Sequence, residues 1–102
     1  MKPKFVNILG VEYYIEYVDK PSEVDIFKRQ SLWGQIDYWT RTIRVYDNGR
    51  PAEDVWQTIF HEVLHGIQNA LHIDKLKDDE PTIDVLATSL VDTLFRNGWM
   101  QP

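Results

Sequence analysis

Between Lys4 and Val18 apolar and polar residues alternate, and the stretch is rich in Val, Ile and Tyr. A period of two marks a strand with one buried face. Leu9-Gly10 supplies a turn, so the pattern predicts a hairpin with strands near 4–8 and 11–18. Lys20-Pro21-Ser22-Glu23 breaks the alternation, and 22–32 reads as a polar connection with room for a short helical turn. A second hairpin is expected over 33–39 and 42–47, turning at Thr40-Arg41. Its positions Trp33, Ile36, Tyr38, Trp39, Ile43, Val45 and Tyr46 suit a sheet packed on one face. Tyr38, Trp39 and Tyr46 are read as sheet packing in preference to the lining of a cleft.

The period changes after Asp47-Asn48-Gly49-Arg50, which is turn chemistry. Pro51 suits a first helical position, and Glu53 and Asp54 lie near the positive end of the helix dipole. A helix is predicted over about 51–71, with Val55, Trp56, Ile59, Phe60, Val63, Leu64, Ile67 and Leu71 on one broad apolar side. Asp54, Thr58, His61, Glu62, His65 and Asn69 fall on the opposite side at about 100° per residue. Residues 72–80 are mostly polar and form a loop, in which His72 is expected to cap the helix C-terminus. From Pro81 a second helix should run to Asn97-Gly98, with Ile83, Leu86, Ala87, Leu90, Val91 and Leu94 on one face. Glu80 and Asp84 are four apart and share a side at the edge of that stripe.

The predicted architecture is α+β: a small antiparallel sheet, then a helix, a loop and a second packing helix. A chain of 102 residues holds one modest core, so 1–102 is expected to be a single domain. Composition narrows the chemistry. There is no cysteine, which excludes disulfides and thiolate-bound metal and fits a reducing cytoplasm. The start of the chain lacks a long apolar core of the secretory kind, and no window has the apolar length of a membrane span. A net charge of −5 argues against direct binding to a nucleic-acid backbone.

Residues 61–65 carry the chemistry. His61-Glu62-Val63-Leu64-His65 is an H-E-x-x-H motif, and it uses two of the three histidines. Four residues make about one helical turn, so both imidazoles point from one face and can reach a single zinc ion. Glu62 lies beside them, suited to handle a water proton. Two histidines do not complete such a site, since catalytic zinc commonly takes three protein ligands and keeps a position open.

H-E-V-L-H-G, a loop, and then Glu80-Pro81-Thr82-Ile83-Asp84-Val85-Leu86-Ala87 resemble the small zincins of the ImmA/IrrE type found in phages and mobile elements. The hairpin from Gly34 to Val45 and the closing Phe95-Arg96-Asn97-Gly98-Trp99 are similar as well. The resemblance spans about residues 33–99 and implies a minimal zincin-like fold with one zinc ion. In that family the second helix reads E-x-x-A-N/D-x-x-A, and its leading Glu is the third ligand, which corresponds to Glu80. This chain has Ile83 where the family often has Ala, and Pro81 follows the ligand. Proline disfavours the helical conformation in the residue before it, so Glu80 is expected as an N-cap and Asp84 stays open as a competing ligand. Glu80 is preferred because its longer side chain spans an interhelix gap more easily.

The expected activity is zinc-dependent peptide-bond hydrolysis, with His61, His65 and Glu80 holding the metal and Glu62 as general base. The family points to a specific protein substrate, such as a phage or mobile-element regulator. The alternative is a zinc-bound interaction domain without peptidase activity, and behind it a metal-free helical module.

Overall fold

The computed structural model describes residues 2–100; Met1, Gln101 and Pro102, the ends of the expected domain, lie outside the described residues. Four strands come first: β1 Phe5–Ile8, β2 Val11–Val18, β3 Gly34–Asp37 and β4 Thr42–Tyr46. Two helices follow, α1 Ala52–Leu71 and α2 Glu80–Arg96. Short 3-10 turns stand at Pro21–Glu23 and Asp74–Leu76. No helix among the described residues is long and apolar enough to cross a membrane.

Both expected hairpins form. β1 pairs antiparallel with β2, and β3 with β4. The first turn places Leu9 at φ 50 and Gly10 at φ 90, a pair of positive angles that matches strand twist and favours glycine. The expected all-antiparallel sheet is corrected: strand order is β1-β2-β4-β3, and β2 runs parallel to β4, with Ile15 opposite Ile43 and Tyr17 opposite Val45. Alternation specifies each hairpin, but the edge by which two hairpins join is a tertiary choice. The parallel register puts Tyr13, Ile15, Ile43 and Val45 on one face, where they meet Ile8, Val55 and Ile59 in the core.

Helix α1 lies across that face, with α2 packed on it through Ile83, Ala87 and Val91. Its burial differs from the amphipathic expectation. The buried residues of α1 are Val55, Thr58, Ile59, Glu62 and Gly66, whereas Leu71, expected in the apolar face, is 56% exposed. A helix sandwiched between a sheet and another helix is buried on more than one side, so its polar stripe includes residues covered by the sheet. Gly66 permits the close approach: a Cβ there would stand 2.7 Å from Ile8 Cδ1 and 3.2 Å from Ile36 Cδ1.

The 22–32 connection is more structured than its polarity suggests. Val24 and Asp25 are fully buried within it. The Asp25 carboxylate accepts hydrogen bonds from the Phe27 and Arg29 N–H groups and from Gln35 Nε2, at 3.0, 3.2 and 3.2 Å. These bonds, led by that from Phe27, hold the Asp25 carboxyl below the usual range.

Candidate metal centre

His61 and His65 stand one turn apart on α1, with their Nε2 atoms 3.2 Å from each other. Glu80, on the first turn of α2, reaches both rings: Oε2 is 2.8 Å from His61 Nε2, and Oε1 is 2.9 Å from His65 Nε2. The three side chains form a group that can hold a metal ion, with ligand atoms all within 4.8 Å of one another. Two imidazole nitrogens about 2.0–2.1 Å from zinc at a tetrahedral angle stand about 3.3–3.4 Å apart. The observed 3.2 Å is close to that spacing. Nitrogen and carboxylate donors suit a borderline divalent ion, so the residues present fit zinc.

Local sequence explains how Glu80 arrives there. Asp79 is the N-cap of α2, its side chain accepting from the Thr82 N–H at 3.2 Å. This corrects the expectation that Glu80 itself caps the helix. The shorter aspartate reaches the free N–H groups, Pro81 needs no hydrogen-bond acceptor, and Glu80 keeps its carboxylate for the histidines. Asp84, the competing ligand, stands elsewhere. Its Oδ1 lies 3.2 Å from His61 Nδ1, on the side of the ring away from Glu80, and accepts from Gln57 Nε2 at 2.8 Å. A carboxylate on Nδ1 fixes ring orientation and turns Nε2 toward the shared centre.

Glu62 is placed differently from its neighbours. It is only 6% exposed, placed against β3, where the nearby Ile36 N–H weakly favours its charged form. Burial pushes its carboxyl up to about 7; the nearby His61 opposes the shift and Glu80 adds to it. A Cβ on Gly34 would lie 2.6 Å from Thr58 Cγ2 and 3.1 Å from Glu62 Oε2, so the bare backbone of β3 is what leaves room for this carboxylate. His65 is held below the usual imidazole value by burial, against the pull of Glu80, which favours the neutral, metal-binding form.

Three participants were missed by sequence reasoning. Tyr38 was read as sheet packing, yet its hydroxyl donates to the His65 carbonyl oxygen at 3.1 Å. Burial, with Glu62 as the next cause, raises that phenol to about 12. Gly34 and Thr58 were not singled out. The available signals were a glycine inside a strand, which marks close backbone approach, and the period of two that sets Gly34, Ile36 and Tyr38 on one face. His72 stands at the C-cap of α1 as expected, in the left-handed region at φ 53 with its N–H on the Asn69 and Gln68 carbonyls. It also lines a polar cavity of about 250 Å³ with Tyr38, His65, Gln68 and Lys77.

No protein-family model matches the chain, and neither the curated proteins nor the solved structures give a significant match.

Proposed function

We propose that this chain is a zinc-dependent peptide-bond hydrolase of the ImmA/IrrE type, cytoplasmic, acting on a specific protein such as a phage or mobile-element regulator. The observation that carries the reading is the convergence of His61 Nε2, His65 Nε2 and the Glu80 carboxylate within 2.8–3.2 Å of one another, one residue from a buried carboxyl. His61, His65 and Glu80 would hold the metal. When bound, zinc supplies Lewis acidity, polarising a carbonyl oxygen and making water more acidic.

The chain's own residues supply the proton handling. The buried Glu62 carboxylate would take a proton from water and return it to a leaving amine. The carboxylate lies against β3, where Gly34 leaves it space. Asp84 keeps His61 oriented. Tyr38 donates its hydroxyl to the His65 carbonyl oxygen beside the site.

The alternative, a zinc-bound interaction domain, draws support from one feature: Glu62 ties α1 to β3, a structural task that needs no hydrolysis. Two substitutions separate the readings. His65→Ala is expected to abolish stoichiometric zinc by elemental analysis. Glu62→Gln is expected to retain zinc and lose cleavage of a protein substrate by at least about 100-fold. Full cleavage by the Gln variant removes Glu62 as the base, and zinc-loaded wild type inert toward every candidate regulator favours the binding module.

A further inference from the structure

Beside the proposed centre lies a second cavity, of about 470 Å³, between the 24–29 segment and the β3–β4 turn. Ile26, Phe27, Ile36, Tyr38 and Trp39 give it apolar walls. Both walls are fixed from within. On one side Asp25 holds the Phe27 and Arg29 N–H groups, and Gln35 Oε1 accepts from the Ile26 N–H at 3.0 Å. On the other, Asp37 Oδ1 accepts from the N–H groups of Trp39 and Thr40. Trp39 is nevertheless 94% exposed. A large aromatic ring displayed on a fastened turn, next to an apolar hollow, is unusual unless something seats there.

Charge indicates what seats there. The chain carries a net −5, yet the same two segments expose Lys28, Arg29 and Arg41. Arg29 lies over the Phe27 ring at 4.8 Å. Asp25 is fully buried and pairs with Arg29 at 3.8 Å. Lys28 Nζ donates to the Glu23 carbonyl oxygen, and Asp37 lines the cavity with its Oδ1 taken up by the turn. The exposed positive charge therefore lies at the rim, on Arg29 and Arg41. Tyr38 is the shared wall: it lines this cavity and also the polar one that contains His65. The two cavities thus lie on either side of Tyr38, the second of them bordered by His65, and β3 beside them is the last strand of the sheet.

We infer that this cavity is a peptide-recognition pocket that takes one bulky apolar side chain flanked by acidic residues. As a statement about substrate it rests on the peptidase reading, and it is tested without turnover. The probe is an acetylated, amidated pentapeptide, Asp-Glu-Phe-Glu-Asp, added to full-length Glu62→Gln protein and followed by heteronuclear NMR. Shifts are expected at the Trp39 indole, Phe27 and the Ile36 amide. Trp39→Ala, at an exposed site that leaves the fold intact, should weaken binding about tenfold or more, as should Ala in place of the peptide's Phe. A peptide with Lys at all four acidic positions should not bind.

Equal affinity for the Ala peptide, shifts away from these residues, or no shift at millimolar peptide overturns the inference. So does displacement of the peptide by a short oligothymidine with higher affinity, which would assign the patch to nucleic acid. Peptide seated here while zinc-loaded wild type cleaves nothing upholds the pocket and removes the peptidase reading. Cleavage unaffected by Trp39→Ala upholds the peptidase and removes the pocket.

Discussion

A carboxyl group buried under a sheet is stable only in its neutral form or with strong partners, and Glu62 has one backbone N–H and a neighbouring histidine. Its folded value near 7 exceeds the ordinary 4.5, so the folded chain keeps a proton that the unfolded chain releases. Stability of the metal-free protein is therefore greatest below about pH 4.5 as far as this group is concerned, and declines as pH rises toward 7. The decline attributable to Glu62 is at most about 3 kcal/mol. In Glu62→Gln this contribution is gone, so the variant should gain stability relative to wild type between pH 4.5 and 7. Urea unfolding in chelator at a series of pH values checks this, and a constant difference across the window would show that Glu62 is not held neutral. The residue types of the site were legible in the sequence, because H-E-x-x-H fixes its own spacing. The burial of Glu62 was not, since it depends on β3 passing over one flank of α1 with glycine at position 34.

At the level of elements, the centre joins two helices through one carboxylate at the start of the second. Glu80 meets both Nε2 atoms, while Asp84 meets His61 from behind. Removing a direct ligand is expected to cost more than removing the residue that orients one. Glu80→Ala should thus weaken zinc in chelator competition more than Asp84→Ala, and the reverse order would exchange their roles. The approach of α1 to the sheet rests on Gly66. Gly66→Ala drives a methyl group into Ile8 and Ile36, an overpacking expected to destabilise the fold by about 1–3 kcal/mol. Chemical denaturation measures it, and an unchanged midpoint would mean that helix and sheet are free to separate. Sequence periodicity located all six major elements within a few residues. It was weakest at their ends, as at Tyr38 and Trp39, which belong to the turn beyond β3 rather than to the strand.

Across the whole molecule, the two hairpins and two helices form one α+β fold in which the sheet supplies the cover for Glu62 and α2 supplies Glu80. The parallel junction of β2 with β4 was invisible in the strand patterns, since either hairpin edge presents the same alternation. That junction still shapes the candidate site, because it leaves β3 at the rim of the sheet, next to Tyr38, which bonds the His65 carbonyl. The proposed chemistry requires a metal held by residues from both helices. The measurement that tests it most directly is the identity, stoichiometry and coordination of metal in freshly purified protein, by elemental analysis and X-ray absorption at the zinc edge. One zinc per chain bound by two imidazoles and a carboxylate, with a remaining position not filled by protein, is the predicted result. Absence of stoichiometric metal after zinc is supplied, or a site closed by a fourth protein ligand, would contradict it.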